Sequence, residues 1–175
     1  MKNTKIMTLN ALIAAVYAVL TLLLAPISYG PLQFRLSEAL TVLPALIPGA
    51  EWGVFLGCLI ANLLSPIGLL DIIFGSAATL LAAVLTKFLY KKLSYRPVVA
   101  AFTACFMPVI VNAVVIGALI SLTMNTPETQ KTSFLMFFAQ IFVSEAAVVY
   151  MLGMPLLMLL PQSKLYKTYI SRFVE

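Results

Sequence analysis

The chain has no histidine, only two cysteines, and six acidic residues against 11 basic ones in 175. Without an imidazole there is no histidine proton shuttle, no histidine haem ligand and no HExxH metal site. Cys58 and Cys105 stand alone inside apolar stretches, without metal-ligand spacing, and read as packing residues. No GxxxxGK[ST] loop is present to cradle nucleotide phosphates, and no convincing nucleophile is matched with a base. Catalysis is therefore not expected, and no cofactor or metal is implied. Charged residues make up 10% of the chain, well below the share in soluble globular proteins.

What is present is hydrocarbon. Hydrophobic residues make up 62% of the chain and the mean hydropathy is +1.06, which predicts an all-α integral membrane protein. Apolar windows fall at about 6–25, 38–48, 52–64, 72–90, 98–123 and 132–160. They predict a compact bundle of about six transmembrane helices, each needing roughly 20 residues to cross a hydrocarbon core about 30 Å thick. Pro44, Pro48 and Gly49 interrupt the second and third windows, so two short or broken helices are expected there, with five helices in all as an alternative. Residues 1–175 then form a single membrane domain with no room for a soluble one. The first helix begins like a secretory signal, with Lys2 and Lys5 before an apolar run and Ala25 near its end. Its apolar stretch is longer than a signal core, and it is expected to stay as a helix of the mature protein.

The basic residues predict an orientation. Lys2, Lys5, Lys87, Lys91, Lys92, Arg96, Lys164, Lys167 and Arg172 fall on one side of a six-helix layout, and only Arg35 and Lys131 on the other. The positive-inside rule then makes both termini cytoplasmic and turns the loops around Arg35, Asp71 and Glu128 outward. The net charge of +5 is a topology signal in this setting. It does not predict nucleic-acid binding, because the basic residues flank helices and form no separate basic domain.

Polar residues inside such a bundle are few enough to weigh singly. Pro31 to Pro44, PLQFRLSEALTVLP, places Gln33, Arg35, Ser37 and Glu38 in a row between apolar segments. Arg35 and Glu38, three apart, either pair with each other or form a pocket rim. Glu145 lies near the middle of the last helix, where an ionised carboxylate costs at least about 2.5 kcal/mol and calls for a cavity or a partner. Phe134, Phe138, Phe142 and Glu145 follow a four, four, three spacing and share one helical face. Such a face either lies against lipid or offers flat aromatic surface beside a carboxylate. Asn62, Asn112 and Gln140 add amides that both donate and accept, as recognition of a heterocycle edge or a bridge between helices requires. Asp71 either caps the fourth helix or joins the pocket.

Small residues mark close helix approach. Ala11 with Ala15, and Ala14 with Ala18, form two overlapping AxxxA pairs in the first helix, and Gly49, Gly53 and Gly57 form a GxxxG ladder. Such surfaces serve either internal helix packing, the role expected of the glycines, or docking to another subunit.

These features describe an outward-opening pocket in a small protein that lacks a motor of its own. The chain resembles the substrate-binding S components of energy-coupling factor transporters, and most closely the QueT family. The resemblance rests on FRLSEALTVLP from Phe34 to Pro44, on DIIFGSAATLLAA from Asp71 to Ala83, on the AxxxA surface and on the six-helix layout. It implies an importer in a bacterial plasma membrane in which this chain captures a small molecule. A membrane scaffold subunit and two cytoplasmic ATPases would supply the energy. It also implies that the alanine face of the first helix meets the scaffold, and that the ligand is a queuosine precursor of the 7-deazaguanine type. Arg35, Glu38, Asn62, Asp71, Asn112, Phe138, Gln140, Phe142 and Glu145 are then the candidate substrate-binding residues. The alternatives are an S component for another vitamin such as riboflavin or thiamin, and a self-sufficient secondary transporter, against which the lack of an obvious internal repeat counts.

Overall fold

The computed structural model describes residues 2–29, 33–124, 130–164 and 166–170; Pro31, Glu128 and Arg172 lie outside them. Every regular element among the described residues is helical. Helix α1 (Lys2–Leu23) leads into the single turn α2 (Ala25–Ser28), and a 3-10 helix (Leu36–Ala45) is followed by α3 (Ala50–Asn62). A π-helical turn (Asp71–Gly75) runs straight into α4 (Ser76–Lys92), and α5 (Pro97–Met124) comes next. Then α6 (Gln130–Val148) passes through a second π turn (Val149–Gly153) into α7 (Met154–Leu159), followed by a 3-10 turn (Leu160–Gln162) and a third π turn (Tyr166–Ile170).

Four runs are long and apolar enough to cross a bilayer: Thr4–Leu23, Asp71–Lys92, Pro97–Thr123 and Ser133–Gln162. The other two apolar helices, Leu36–Ala45 and Ala50–Asn62, are shorter. At about 2.0 Å per residue for the first and 1.5 Å for the second, each reaches only about 20 Å. Four helices of spanning length and two short ones thus stand where about six crossings are expected. Pro44 lies inside the 3-10 helix, and its missing N–H and fixed φ limit how far that helix extends. Gly49, at φ +80°, makes the turn into α3, a conformation that a side chain would strain.

The glycine ladder explains how α3 meets α1. A Cβ added at Gly53 would lie 2.7 Å from the Asn10 carbonyl oxygen, and one at Gly57 2.7 Å from both the Ala14 carbonyl oxygen and Tyr17 Cβ. Backbone therefore rests on backbone, as small residues allow inside a bilayer. One consequence concerns the alanines. Ala14 and Ala18 are buried inside the chain, whereas Ala11 and Ala15 point outward, so the surface open to a partner narrows to the Ala11 and Ala15 pair.

Helix α5 contains Pro108, which cannot donate to the carbonyl four residues earlier, at Ala104. Thr86 on α4 donates its hydroxyl to that carbonyl at 3.1 Å, so the break is repaired across the helix pair. Two carbonyls near helix ends accept from phenols: Tyr29 donates to Ala61 at 2.6 Å and Tyr166 to Leu46 at 3.1 Å. The core gathers Tyr17, Val42, Val54, Val109, Val149 and Leu157, with Cys58 and Cys105 buried as free thiols among them. Large apolar side chains such as Leu12, Trp52, Phe88, Phe102, Leu135 and Val143 face outward. That surface suits lipid rather than water.

Candidate functional site

The 3-10 helix carries the row of polar residues into the bundle. Arg35 precedes its first turn and Glu38 lies in that turn; they are 6% and 1% exposed. They do not pair with each other. The Arg35 guanidinium reaches across to the start of the fourth helix, donating from Nη2 to Asp71 Oδ2 at 3.1 Å and from Nη1 to Asn62 Oδ1 at 3.2 Å. The Tyr29 ring lies beneath it, 5.3 Å from the guanidinium carbon.

Asp71 does not cap the helix with its side chain. Its Oδ2 also accepts the Ser65 hydroxyl at 2.5 Å, while Asn62 Nδ2 donates to the Asp71 main-chain oxygen at 3.0 Å. Asn62, Ser65 and Asp71 therefore form a cradle around the guanidinium, with Asn62 and Asp71 completely buried. The π turn at Asp71–Gly75 positions the pieces. A Cβ at Gly75 would collide with Asp71 Oδ1 and lie 3.1 Å from Asn62 Nδ2, so this position leaves space for no side chain.

On the other side of Arg35 a cavity opens. Its floor and one side come from Gln33, Arg35 and Glu38, with Gly75 and Thr79 adding a second wall. Asn112 and Ile116 of α5 and Ile141 and Glu145 of α6 close it. Glu38 accepts the Tyr17 hydroxyl on Oε1, while its buried Oε2 has no hydrogen-bond partner in the chain. Glu145, 3% exposed, accepts the Asn112 amide at 2.7 Å on Oε1. At about 10 Å³ the cavity has room for about one water molecule, so a ring-sized ligand requires its walls to part.

The structure thus brings Arg35, Glu38, Asn112 and Glu145 to one cavity and sets Asn62 and Asp71 directly behind Arg35. It does not bring Phe138, Gln140 or Phe142 onto the cavity wall. Phe138 and Phe142 stack on each other at 5.9 Å, and Phe142 meets Phe106 edge-on at 6.1 Å. The aromatic stripe therefore packs α6 against α5, and Ile116 and Ile141 supply the apolar wall instead. Gly117 explains the close fit there: an added Cβ would sit 3.1 Å from the Phe138 amide nitrogen.

Gln33, the first of the polar row, reaches the cavity wall through a left-handed backbone, φ +45°, which is rare for a residue with a side chain. Two further wall or support residues carry little sequence signal. Thr79 looks like any small polar helix residue. Tyr17, wholly buried beneath Glu38, sits among the alanines of α1, where an aromatic reads as core.

A family model described as QueT transporter matches residues 7–162. A curated protein from Lactococcus lactis subsp. cremoris (strain MG1363), named queuosine precursor transporter QueT, is 42% identical over 72 residues. The aligned stretch covers 40% of this chain and 42% of that relative. No solved structure matches the chain.

Proposed function

Because the chain belongs to the QueT transporter family, we propose that it is the substrate-binding subunit of an energy-coupling factor importer and captures a queuosine precursor, a 7-deazaguanine. The observation that carries this is the cavity: two carboxylates, two amides and a guanidinium converge inside a bundle whose outer surface suits lipid. Ionisable side chains held at such depth mark a pathway or binding site. A guanine-like edge offers a ring N–H and an exocyclic amine side by side, and a carboxylate accepts both. Glu145, oriented by Asn112, is suited to that edge. Ile116 and Ile141 flank the ring.

In this proposal the bundle crosses the membrane six times, the two short helices included, with both termini in the cytoplasm. The basic clusters at Lys2 and Lys5, at Lys87 to Arg96 and at Lys164 and Lys167 support that orientation. Energy comes from a membrane scaffold and two cytoplasmic ATPases, since the sequence has no phosphate loop. The outward pair Ala11 and Ala15 on α1 is the face offered to the scaffold, where small side chains permit close helix approach.

Reconstitution tests the whole reading. Vesicles containing only this chain should bind a radiolabelled 7-deazaguanine without accumulating it. Vesicles that also hold the scaffold and ATPases should concentrate it on addition of ATP. Uphill uptake by this chain alone would instead identify a secondary transporter.

A further inference from the structure

At the end of α4 far from Arg35 lies a second hollow, which the binding role proposed above does not use. One wall is the stretch 44–48, where the 3-10 helix ends and the chain turns toward α3. The other is formed by Lys87, Tyr90 and Lys91 of α4, with Ser94 just past its end. The three helical positions, three and four apart, share one face. This groove holds about 370 Å³, against about 10 Å³ for the cavity beside Arg35, and needs no parting of its walls to take a ligand. The wall at 44–48 is also held in place. Leu46 and Ile47 are buried, Tyr166 donates its hydroxyl to the Leu46 carbonyl at 3.1 Å, and Pro44 and Pro48 have fixed φ.

Positive charge crowds this end of the bundle, with Lys87, Lys91, Lys92 and Arg96 close together along the chain. Glu51 on α3 offsets one of them: its Oε1 accepts from Lys87 at 2.7 Å, its Oε2 is buried without a partner, and it lies off the groove wall. Lys92 sits over the Phe88 ring and Arg96 over the Tyr95 ring, at 5.8 and 5.7 Å. Lys91 differs from all three. It is exposed, lines the groove and takes part in no ion pair among the described residues.

A free ammonium beside an apolar wall calls for an amphiphile, because a soluble anion gains nothing from Leu46, Ile47 and the prolines. Val84 and Phe88, one helical turn from Lys87 and Lys91, are exposed on the apolar surface of α4, so the groove is continuous with surface that suits lipid. Tyr90, apolar in its ring and polar at its tip, is the residue type that settles at headgroup level. The geometry points to a binding site for an anionic phospholipid, with the phosphodiester on Lys91 and the Ser94 hydroxyl and an acyl chain along residues 44–48. A zwitterionic lipid carries its own cation and leaves the Lys91 charge unmatched. A lipid with one net negative charge matches it.

Native mass spectrometry of the full chain in mild detergent tests this with phosphatidylglycerol and phosphatidylcholine of identical acyl chains. Phosphatidylglycerol should be retained about fivefold more, the worth of one lysine close to an anionic headgroup. In Lys91→Gln that ratio should fall to within about twofold, whereas Lys92→Gln, which removes an equal charge off the groove wall, should keep it. Ser94→Trp fills the groove, spares every lysine and should also lower retention of phosphatidylglycerol. The ratio of two lipids within one variant is insensitive to a fraction of misfolded protein. Equal losses in Lys91→Gln and Lys92→Gln would overturn the site in favour of diffuse attraction to the whole basic end. Displacement of the bound lipid by glycerol phosphate would overturn it in favour of a site for soluble phosphates. An intact lipid preference in Lys91→Gln, with weaker co-purification of the scaffold subunit, would make the groove a protein contact and overturn it as well.

Discussion

Two groups of buried polar residues meet at Arg35, and they are built on opposite lines. Behind it, Asn62, Ser65 and Asp71 are tied together by hydrogen bonds that run to side chain and backbone alike. In front of it, Glu38 and Glu145 are held by neutral donors alone, the Tyr17 phenol and the Asn112 amide, and one oxygen of Glu38 is left unsatisfied. A network whose members each make two or more bonds fixes geometry even with Arg35 Nε and Asp71 Oδ1 left without a partner, because moving any member strands another. An under-satisfied pair keeps interaction capacity for something that arrives later. The difference separates residues that position the site from residues that face the ligand, although both sets are buried and polar.

Breaking the cradle is the harshest test of this contrast. Arg35→Ala leaves Asp71 buried without its cation, and such a loss costs about 3–5 kcal/mol. Thermal unfolding in detergent should show a large drop in midpoint. Replacing both partners, Arg35→Met with Asp71→Leu, should recover much of that stability without restoring ligand binding. Should the double variant be no more stable than Arg35→Ala, the pair does not act as a unit.

A smaller loss is expected at the contact between α1 and α3. Gly57→Ala forces a methyl group against the Ala14 carbonyl oxygen and Tyr17 Cβ, and overpacking of this kind costs about 1–3 kcal/mol. Tyr17 also holds Glu38, so ligand affinity should fall along with the melting temperature. Tyr17→Phe in the same background separates the two effects, since it removes the hydroxyl and keeps the ring.

On the ligand side the effect moves from stability to affinity. Glu145→Gln should weaken a 7-deazaguanine by about tenfold, because the amide presents a donor toward the donors of the base. The fold should tolerate it, since it removes a charge that has no cationic partner in the chain. Size-exclusion profiles together with calorimetry distinguish lost affinity from lost structure. Unchanged affinity would place the ligand outside this cavity.

The outer face of α1 separates packing from docking. Ala15→Trp should reduce co-purification with the scaffold and leave ligand affinity unchanged, whereas Ala14→Trp, placed in a buried position, should lower stability itself. The smallest effect is expected at the aromatic stripe. Phe138→Leu should change ligand affinity by less than about twofold, because its ring stacks on Phe142 away from the cavity wall, and a volume-conserving apolar change is tolerated. A large loss there would bring the stripe back into the binding site.

Composition alone determined the class of the protein: an excess of hydrocarbon with 10% charge admits a helical membrane bundle, because backbone polar groups in lipid must be satisfied within each segment. Pro44, Pro48 and Gly49 likewise announced the two short helices, since a missing N–H and a left-handed turn are local properties. Rare polar residues in an apolar chain are conspicuous, so Arg35, Glu38, Asn112 and Glu145 were legible as candidates. Their partners were not. That Arg35 reaches Asp71, 36 positions away, and leaves Glu38 three positions away, depends on which helices lie side by side. The face of α6 that turns inward is also a tertiary choice: spacing put Glu145 in line with Phe134, Phe138 and Phe142, but packing against α5 assigned Phe138 and Phe142 to the helix contact and the carboxylate to Asn112. The two AxxxA pairs were equivalent as sequence and became distinct only when the glycines of α3 covered Ala14 and left Ala15 outside. Periodicity fixes which residues share a face; only the neighbouring helix decides what that face meets.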